Sequence, residues 1–481
     1  MRRVLGFAFF ILSGSACLLL SSSTAADPSA SQLKSEVEKL KKDPDLAHGM
    51  LGIYVLDIKK DSVLVDHNGS TGLVPASALK TVTTAAALCL LGEKFRYGTW
   101  LEHDGQFDTL TGVLKGNLYI KGSGDPALGS KYFPCTGLDC VPFTGKWAQG
   151  LRNKGLKHIE GAVVADASVM EDGMVSSTWI WSDIGNYYGA GACGINYRDN
   201  LYTVYFKTGG TGDSARIVRI DPEIPGMKII NAVKAYGTED NCYIYGAPYH
   251  NKRYATGTVP PHQQEYGVDG SMPDPPLFLA HVLDTAIRFA GIKVAKEPST
   301  VRELKLKKAY APAKRNIIDS VFSPPLSDIV YWTNRNSVNL YAEALLKTIG
   351  LKQAGMGSDG AGTAALTQFW AGKGIDTQGM YLNDGSGLSR WNSITCKQLA
   401  MVMKVMSKEK TFGIFYKSLP RQNASVAAKS GYIARVRSYA GYVTKKNGDL
   451  LAFAMIANNY DCTAKEMRIK LEKLMEALTK L

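Results

Sequence analysis

The sequence predicts an α/β (α+β) protein in which a large β-rich insertion interrupts a discontinuous domain. Two short strand patterns follow each other near the start of the chain, at residues 52–57 and 62–67. A second strand pair, at residues 437–444 and 450–458, lies near the end and precedes a helical pattern. Both ends of the chain can therefore contribute strands to one sheet, and the residues between them would form the insertion.

The individual elements follow from local patterns of apolar residues. A charged helix is predicted at residues 31–42, and Pro75 opens a strongly apolar helix that ends at Gly92. From about residue 94 to 320 short strands alternate with Gly, Pro and Asp turns, with one helix near residues 276–290. The predicted strands of this region include residues 117–121, 162–165, 201–207 and 242–245. The predicted helices after it are residues 326–335, 338–349, 360–371, 395–407 and 464–480.

These patterns divide the chain into three parts. The interrupted domain comprises residues 27–95 and 322–481, and the insertion, of one or two subdomains, comprises residues 96–321. Residues 1–26 are predicted to be a cleaved signal peptide, because Arg2 and Arg3 precede an apolar run and small residues surround Ala26. The alternatives are a single membrane anchor and lipidation of Cys17, which Gly-Ser-Ala precedes but whose position inside the apolar run argues against it. The mature protein is expected to be exported to the periplasm.

Composition excludes several classes of function. The chain has 481 residues, of which 45% are hydrophobic and 21% charged, as is typical of globular proteins. Its formal net charge is +13, but the basic residues are scattered, so we expect no binding of nucleic acid. A basic exported protein can associate peripherally with an anionic envelope. The cysteine spacings match no metal site, so no metal and no other cofactor is expected. Candidate disulfides are Cys135 with Cys140 and Cys193 with Cys242.

Ser77 and Lys80 are the first candidate catalytic pair. They lie three residues apart at the start of the apolar helix, so their side chains share one face. A lysine that burial keeps neutral can accept the proton of a serine hydroxyl. Two other Ser-x-x-Lys sequences begin at Ser31 and Ser407, but these lie in charged helices. The alternative for Ser77 and Lys80 is a helix cap beside a surface lysine.

A second candidate pair lies just before a helix that begins near Leu340. The hydroxyl of Ser337 can relay a proton to a leaving amine, and the amide of Asn339 can hold a peptide carbonyl of a substrate. An ordinary helix N-cap is the alternative for this pair.

A third motif precedes the final strand pair. On an edge strand, Lys429 and Ser430 can bind a substrate carboxylate, and Gly431 allows a ligand to approach the backbone. The backbone N–H of Tyr432 can form an oxyanion hole with that of Ser77.

The order of the three motifs resembles that of the penicillin-recognising serine enzymes. The chain is similar to DacB-type penicillin-binding proteins, the D-alanyl-D-alanine carboxypeptidases/endopeptidases of peptidase family S13, above all in the long interval between Ser77 and Ser337. Segments 117–126, 179–189 and 384–390 also match that family. The resemblance implies a serine β-lactamase/transpeptidase-like domain with a large insertion.

The resemblance also implies a substrate and a role for each motif residue. Ser77 would be acylated by the penultimate D-alanine of a peptidoglycan stem peptide, Lys80 and Ser337 would move protons, and Lys429 and Ser430 would bind the terminal carboxylate. β-Lactams would be covalent inhibitors. Asp166 matches an aspartate that can contact the amino group of the stem peptide.

Some residues depart from the family pattern and leave alternatives open. Ser430 stands where threonine is usual, and Val338 stands where aspartate is commoner. An aspartate in a turn is an equally good interpretation of Asp166. The alternative functions are a β-lactamase or esterase on the same scaffold and a non-catalytic cell-wall-binding protein.

Overall fold

The computed structural model describes residues 28–134 and 141–481. The predicted signal peptide and the candidate pair Cys135 and Cys140 lie outside the described residues. The helices are α1 Pro28–Lys41, α2 Lys80–Leu91, α3 Phe143–Asn153, α4 Trp181–Ile184, α5 Pro275–Phe289, α6 Val301–Leu306, α7 Leu326–Arg335, α8 Asn339–Ala354, α9 Asp359–Gly372, α10 Cys396–Met406, α11 Phe412–Ser418 and α12 Ala464–Leu478. The strands are β1 Met50–Asp57, β2 Ser62–His67, β3 Gly72–Leu73, β4 Gly98–His103, β5 Gln106–Asp108, β6 Val113–Lys115, β7 Leu118–Gly122, β8 His158–Ile159, β9 Val163–Asp166, β10 Leu201–Lys207, β11 Arg216–Asp221, β12 Lys228–Ala235, β13 Asn241–Tyr245, β14 Lys252–Val259, β15 Tyr266–Ser271, β16 Lys293–Val294, β17 Ser299–Thr300, β18 Asn316–Phe322, β19 Ile394–Thr395, β20 Val426–Ile433, β21 Val436–Thr444 and β22 Leu450–Asn458.

Strands from both ends of the chain form one antiparallel sheet, as predicted. Its strand order is β2-β1-β22-β21-β20, so β20 is an edge strand. Helices α1 and α12 cover one face, and α2, α8 and α10 contribute to the core on the other face. Burial on both faces explains why β1 and β22 are almost continuously apolar rather than alternating.

The region between α2 and α7 surrounds a second hydrophobic core. Its sheets have the orders β17-β9-β7-β4-β18, β16-β8-β6-β5, β11-β10-β15 and β12-β14-β13. Strands β4 and β18 pair with each other, so this region begins and ends side by side. That arrangement agrees with an insertion, whose boundaries at residues 96 and 321 stay a prediction.

Two predictions for the middle region are wrong. It contains α3, α4 and α6 in addition to α5; the glycines Gly145 and Gly150 interrupt the apolar pattern of α3. Cys193 and Cys242 do not form a disulfide, and both are free and buried. The Cys193 Sγ instead donates a hydrogen bond to the Ile195 carbonyl oxygen (2.9 Å). None of the helices in the described parts of the chain has the length and apolar character that crossing a membrane requires.

Candidate active site

Ser77 lies in a short 3₁₀ turn that leads into α2, rather than in the first turn of a single helix from Pro75. The preceding residue, Ala76, has φ of 45°, a left-handed conformation that costs about 1–3 kcal/mol in a non-glycine residue. Backbone packing from two sides holds the turn in place. A Cβ atom on Gly431 would lie 2.7 Å from the Pro75 carbonyl oxygen, and one on Gly387 would overlap the Ala76 carbonyl oxygen. Strand β20 and the loop that contains Gly387 therefore position the serine.

Lys80 is fully buried beneath this turn. Its Nζ lies 2.9 Å from Ser77 Oγ, 2.6 Å from Asn339 Oδ1 and 2.8 Å from the Ser386 carbonyl oxygen. Burial lowers the pKa of Lys80 to about 7, although the nearby Glu343 carboxyl group opposes this shift. A large fraction of the amine is therefore neutral near pH 7 and can accept a proton from Ser77.

Glu343 is a buried residue of the site that sequence reasoning missed. One carboxyl oxygen accepts the Gly385 N–H (2.9 Å) and the other accepts the Ser386 N–H (2.8 Å). Burial, with the Asp384 carboxylate as a further cause, raises the pKa of Glu343 to about 8. Because it accepts the Ser386 N–H, this group helps to position the Ser386 carbonyl oxygen, which contacts Lys80.

Asp384 organises the same loop. Its carboxylate accepts the backbone N–H groups of Gly387 (2.8 Å) and Ser389 (2.6 Å). The Trp179 indole N–H (2.8 Å) and the Asn392 side-chain amide (2.8 Å) also donate to it. The loop that carries the Ser386 carbonyl is therefore attached to the 179–189 segment. Segments 179–189 and 384–390 were recognisable in the sequence, but this contact between them was not.

The second motif lies beside Lys80 through Asn339. The Asn339 Nδ2 donates to the Tyr188 carbonyl oxygen (2.7 Å), which leaves its second N–H for another acceptor. Ser337 has φ of 57° and does not cap α8, since Val338 is the N-cap residue and makes no side-chain cap hydrogen bond. Within the described residues the Ser337 hydroxyl has no hydrogen-bond partner; it lines a cavity of about 160 Å³ together with Tyr188.

The third motif lies on the edge strand β20. Lys429 is 2% exposed, and its Nζ donates to the Ser430 carbonyl oxygen (2.7 Å). Burial, together with the positive charges of Lys80 and Arg437, holds the pKa of Lys429 well below its usual range. Tyr432 follows and is 54% exposed.

The structure gives a further reason for a glycine at position 431, beside the approach of a ligand that the sequence predicts. A side chain there would collide with the Ser438 hydroxyl and with the backbone of the nucleophile turn at Pro75 and Ala78. The missing side chain therefore makes room for that turn.

Asp166 makes no hydrogen bond or ion pair with the three motifs. It is 6% exposed at the end of β9, and its Oδ2 pairs with Arg315 at 2.7 Å. Its Oδ1 accepts the N–H (3.1 Å) and the hydroxyl (2.6 Å) of Ser168. Burial by itself would raise the pKa of Asp166, but the hydrogen bonds from Ser168 and Arg315 lower it below its usual value. Both oxygens are thus engaged within the protein. Across residues 28–134 and 141–481, no group of acidic, histidine or cysteine side chains could hold a metal ion.

Known proteins match almost the whole chain. The model of the D-Ala-D-Ala carboxypeptidase 3 (S13) family matches residues 33–478. The D-alanyl-D-alanine carboxypeptidase DacB of Haemophilus influenzae is 24% identical over 452 residues, which cover 89% of this chain and 89% of that protein. The D-alanyl-D-alanine carboxypeptidase of an Actinomadura species is 26% identical over 484 residues, with 92% of this chain and 84% of that protein covered.

The fold also matches solved structures. Penicillin binding protein 4 (dacB) from Haemophilus influenzae superposes with a TM-score of 0.76 at 22% identity, over 94% of this chain and 99% of that chain. The same protein complexed with a β-lactam gives a TM-score of 0.71 at 20% identity, over 94% of this chain and 100% of that chain. The predicted α/β (α+β) fold class is confirmed.

Proposed function

Because the chain belongs to the D-Ala-D-Ala carboxypeptidase 3 (S13) family, we propose that it cleaves peptidoglycan stem peptides through an acyl-enzyme on Ser77. The protein is a hydrolase, a D-alanyl-D-alanine carboxypeptidase like its named relatives. The observation that carries the proposed mechanism is the buried Lys80 amine at 2.9 Å from the Ser77 hydroxyl. The D-alanyl cross-links between peptide strands are proposed as a second substrate of the same site.

Acylation begins with transfer of the Ser77 hydroxyl proton to the neutral Lys80 amine. Ser77 Oγ then attacks the carbonyl carbon of the penultimate D-alanine, and the carbonyl electrons move to its oxygen. We assign the backbone N–H groups of Ser77 and Tyr432 to this oxyanion. The close packing of Gly431 against the nucleophile turn supports the assignment, because it brings β20 alongside Ser77.

Collapse of the tetrahedral intermediate breaks the peptide C–N bond and releases the terminal D-alanine. Its nitrogen needs a proton, which the Ser337 hydroxyl would relay from Lys80. Ser337 is suited to this role because its hydroxyl makes no hydrogen bond to the described residues and lies two residues from Asn339, which contacts Lys80. Water then attacks the acyl-enzyme, with Lys80 as its base, and Ser77 is regenerated.

Substrate binding is assigned to the edge strand and to Asn339. An extended peptide can add to β20 as a further strand. Lys429 and Ser430 would hold its terminal carboxylate, and the second N–H of Asn339 would hold a peptide carbonyl. A carboxylate next to Lys429 favours the protonated amine, so binding would offset the loss of charge that burial causes. Asp166 already pairs with Arg315 and Ser168, so contact with the stem-peptide amino group would add to these partners or replace one of them.

We place this activity in the periplasm, after cleavage of the signal peptide near Ala26. Cleavage would remove Arg2 and Arg3 from the formal net charge of +13, and the remaining excess of positive charge supports peripheral association with the anionic envelope. β-Lactams are the proposed covalent inhibitors, since their acyl group would react with Ser77 as the peptide does.

Intact-protein mass spectrometry after incubation with benzylpenicillin tests the proposal. We expect one covalent adduct on the wild type, mapped to the peptide that contains Ser77, and no adduct on Ser77→Ala. Ser407→Ala is the matched control, because Ser407 begins another Ser-x-x-Lys sequence but lies at the end of α10. An adduct that survives in Ser77→Ala would overturn the assignment. Unmodified protein with rapidly hydrolysed benzylpenicillin would indicate a β-lactamase, and intact benzylpenicillin a binding protein.

A further inference from the structure

Exposed side chains, three of them aromatic, form a row across the outer face of the β12-β14-β13 sheet. The strand register places Ile230 beside Tyr254 and Tyr254 beside Tyr245, so each strand contributes one residue to the row. Trp181 of α4 extends it, with its ring 6.1 Å from that of Tyr245, and the Tyr245 and Tyr254 rings are 6.4 Å apart. Trp181 is 56% exposed, Tyr254 43% and Ile230 58%. These four side chains are called the aromatic row below.

The aromatic row lies outside the second hydrophobic core. Ile244 and Ala255, which alternate with it along the strands, are fully buried on the inner face of the same sheet and belong to that core. The outer face of a sheet that is buried on one side usually carries polar residues. A contiguous exposed apolar patch at such a place marks an interaction site. The row is therefore a candidate binding surface.

The shape and the borders of the row fit a chain of sugar rings. Neighbouring ring planes are tilted by only 34° and 40°, so the direction of the surface changes gradually along the row. Lys228 and Lys252 border the row on one side and Thr256 borders it on the other, and all three carry hydrogen-bond donors. A pyranose ring has apolar C–H faces that stack on aromatic rings and polar substituents along its edges. A strip of apolar surface between polar borders matches that distribution.

A second protein matches a surface of this size less well. The centroids of the outermost aromatic rings are no more than about 12.5 Å apart, since the two steps between neighbouring rings are 6.1 and 6.4 Å. Across the strands the row is only one residue wide on each strand. A stable protein interface buries about 800 Å² on each partner, which is far more than such a strip provides.

The row lies next to the cavity that contains Ser337. Tyr187 lines that cavity together with Ser337. The residue before it, Asn186, accepts the backbone N–H of Ile244 on its side-chain oxygen (2.9 Å). Ile244 directly precedes Tyr245 of the row on β13. A molecule that continues from the cavity across this contact therefore reaches the row.

We propose that the aromatic row binds the glycan strand to which the substrate peptide is attached, by stacking of aminosugar rings on its aromatic side chains. The inference rests on the proposed function, because it requires a stem peptide bound at Ser77. A stem peptide is joined to its glycan strand by an amide bond, so binding of the peptide places the sugars near the protein. The protein should then cleave a peptide that is attached to glycan more efficiently than the same peptide free in solution.

The test compares a free stem pentapeptide with a glycan oligomer that carries the same pentapeptide. Release of D-alanine gives kcat/KM for each substrate, and the ratio of the two values measures the contribution of the sugars. The ratio is measured for the wild type, Tyr254→Ala, Tyr254→Phe and Tyr236→Ala. Tyr236→Ala is the control, because Tyr236 is also exposed (62%) but lies about 20 Å from Ile230 along the direction of β12. Calorimetric titration with a peptide-free β-1,4-linked N-acetylglucosamine hexamer measures sugar binding directly.

We expect Tyr254→Ala to lower both the ratio and the affinity for the hexamer about three- to tenfold. Tyr254→Phe should retain both, because it keeps the ring. An unchanged ratio in Tyr254→Ala, an equal fall in Tyr236→Ala, or no binding of the hexamer to the wild type would overturn the proposal. Thermal melting establishes that each variant is folded.

Two further measurements distinguish other occupants of the row. Binding to anionic phospholipid vesicles that is lost in Tyr254→Ala, without binding of the hexamer, would replace the glycan by a membrane surface. Dimerisation in sedimentation that is lost in the same variant would replace it by a second copy of the chain. Failure of wild-type Ser77 to form an adduct with benzylpenicillin would instead refute the proposed function.

Discussion

Replacement of Gly431 by alanine tests how closely the edge strand must approach the nucleophile. A Cβ atom there would lie 2.7 Å from the Pro75 carbonyl oxygen and 2.8 Å from the Ala78 nitrogen. Ordinary van der Waals contact begins at 3.4 Å, so the strand or the turn must move by roughly 0.7 Å to clear the Pro75 oxygen. Unlike the Ser438 hydroxyl, which also lies close to the added Cβ, these two atoms belong to the backbone and cannot rotate away, so we expect Ser77 itself to be displaced.

The displacement affects both stability and rate. Overpacking costs about 1–3 kcal/mol of unfolding free energy, and misplacement of a reacting group by about 1 Å can slow a reaction about 100-fold. For Gly431→Ala we therefore expect acylation of Ser77 by benzylpenicillin to be about 10- to 100-fold slower, together with a lower melting temperature.

Time-resolved intact-protein mass spectrometry measures the acylation rate, and differential scanning fluorimetry measures melting. Gly413→Ala is the matched control, because Gly413 lies in α11 with no atom within 4 Å of the added Cβ. A folded Gly431→Ala protein that is acylated at the wild-type rate would refute the argument that this contact positions the nucleophile.

Three further predictions follow from the described contacts. Acylation should accelerate as the pH rises through about 7 and then level off, because only the neutral form of Lys80 accepts the serine proton; a rate constant that is flat between pH 5 and 9 would contradict this. Arg315→Gln leaves the buried Asp166 carboxylate without its cationic partner (2.7 Å) and should cost about 3 kcal/mol at pH 7. The pKa of Asp166 is lowered in the folded protein, so this stabilisation is present above its unfolded pKa of about 3.9 and is lost as the pH falls. The difference in melting temperature from the wild type should accordingly narrow in acid, and a difference that does not depend on pH would count against the ion pair. Trp179→Phe removes the indole N–H that donates to Asp384 (2.8 Å) and should cost about 1–2 kcal/mol and slow acylation; unchanged melting and acylation would show that the loop does not depend on this bond.

The three motifs could be predicted from the sequence, since each consists of residues that are close together in the chain. A spacing of three in a helical turn is enough to bring Ser77 and Lys80 together. Their common site also followed from motif order, through the resemblance to a known family. Glu343 and Asp384 could not be predicted as parts of it, because their importance depends on which backbone N–H groups they meet in the folded chain.

The sequence by itself therefore determined the fold class, the family and the candidate nucleophile and base, because hydrophobic periodicity and motif spacing are local properties. Only the tertiary structure decided the chemical state of these groups. The pKa of Lys80 is lowered because the packed core excludes water from its amine. Asn339, which is distant in sequence, supplies one of its hydrogen-bond acceptors. The same packing showed that Gly431 serves the nucleophile turn and that both oxygens of Asp166 are already engaged. Desolvation and close contact arise between residues far apart in the chain, and no local pattern encodes them.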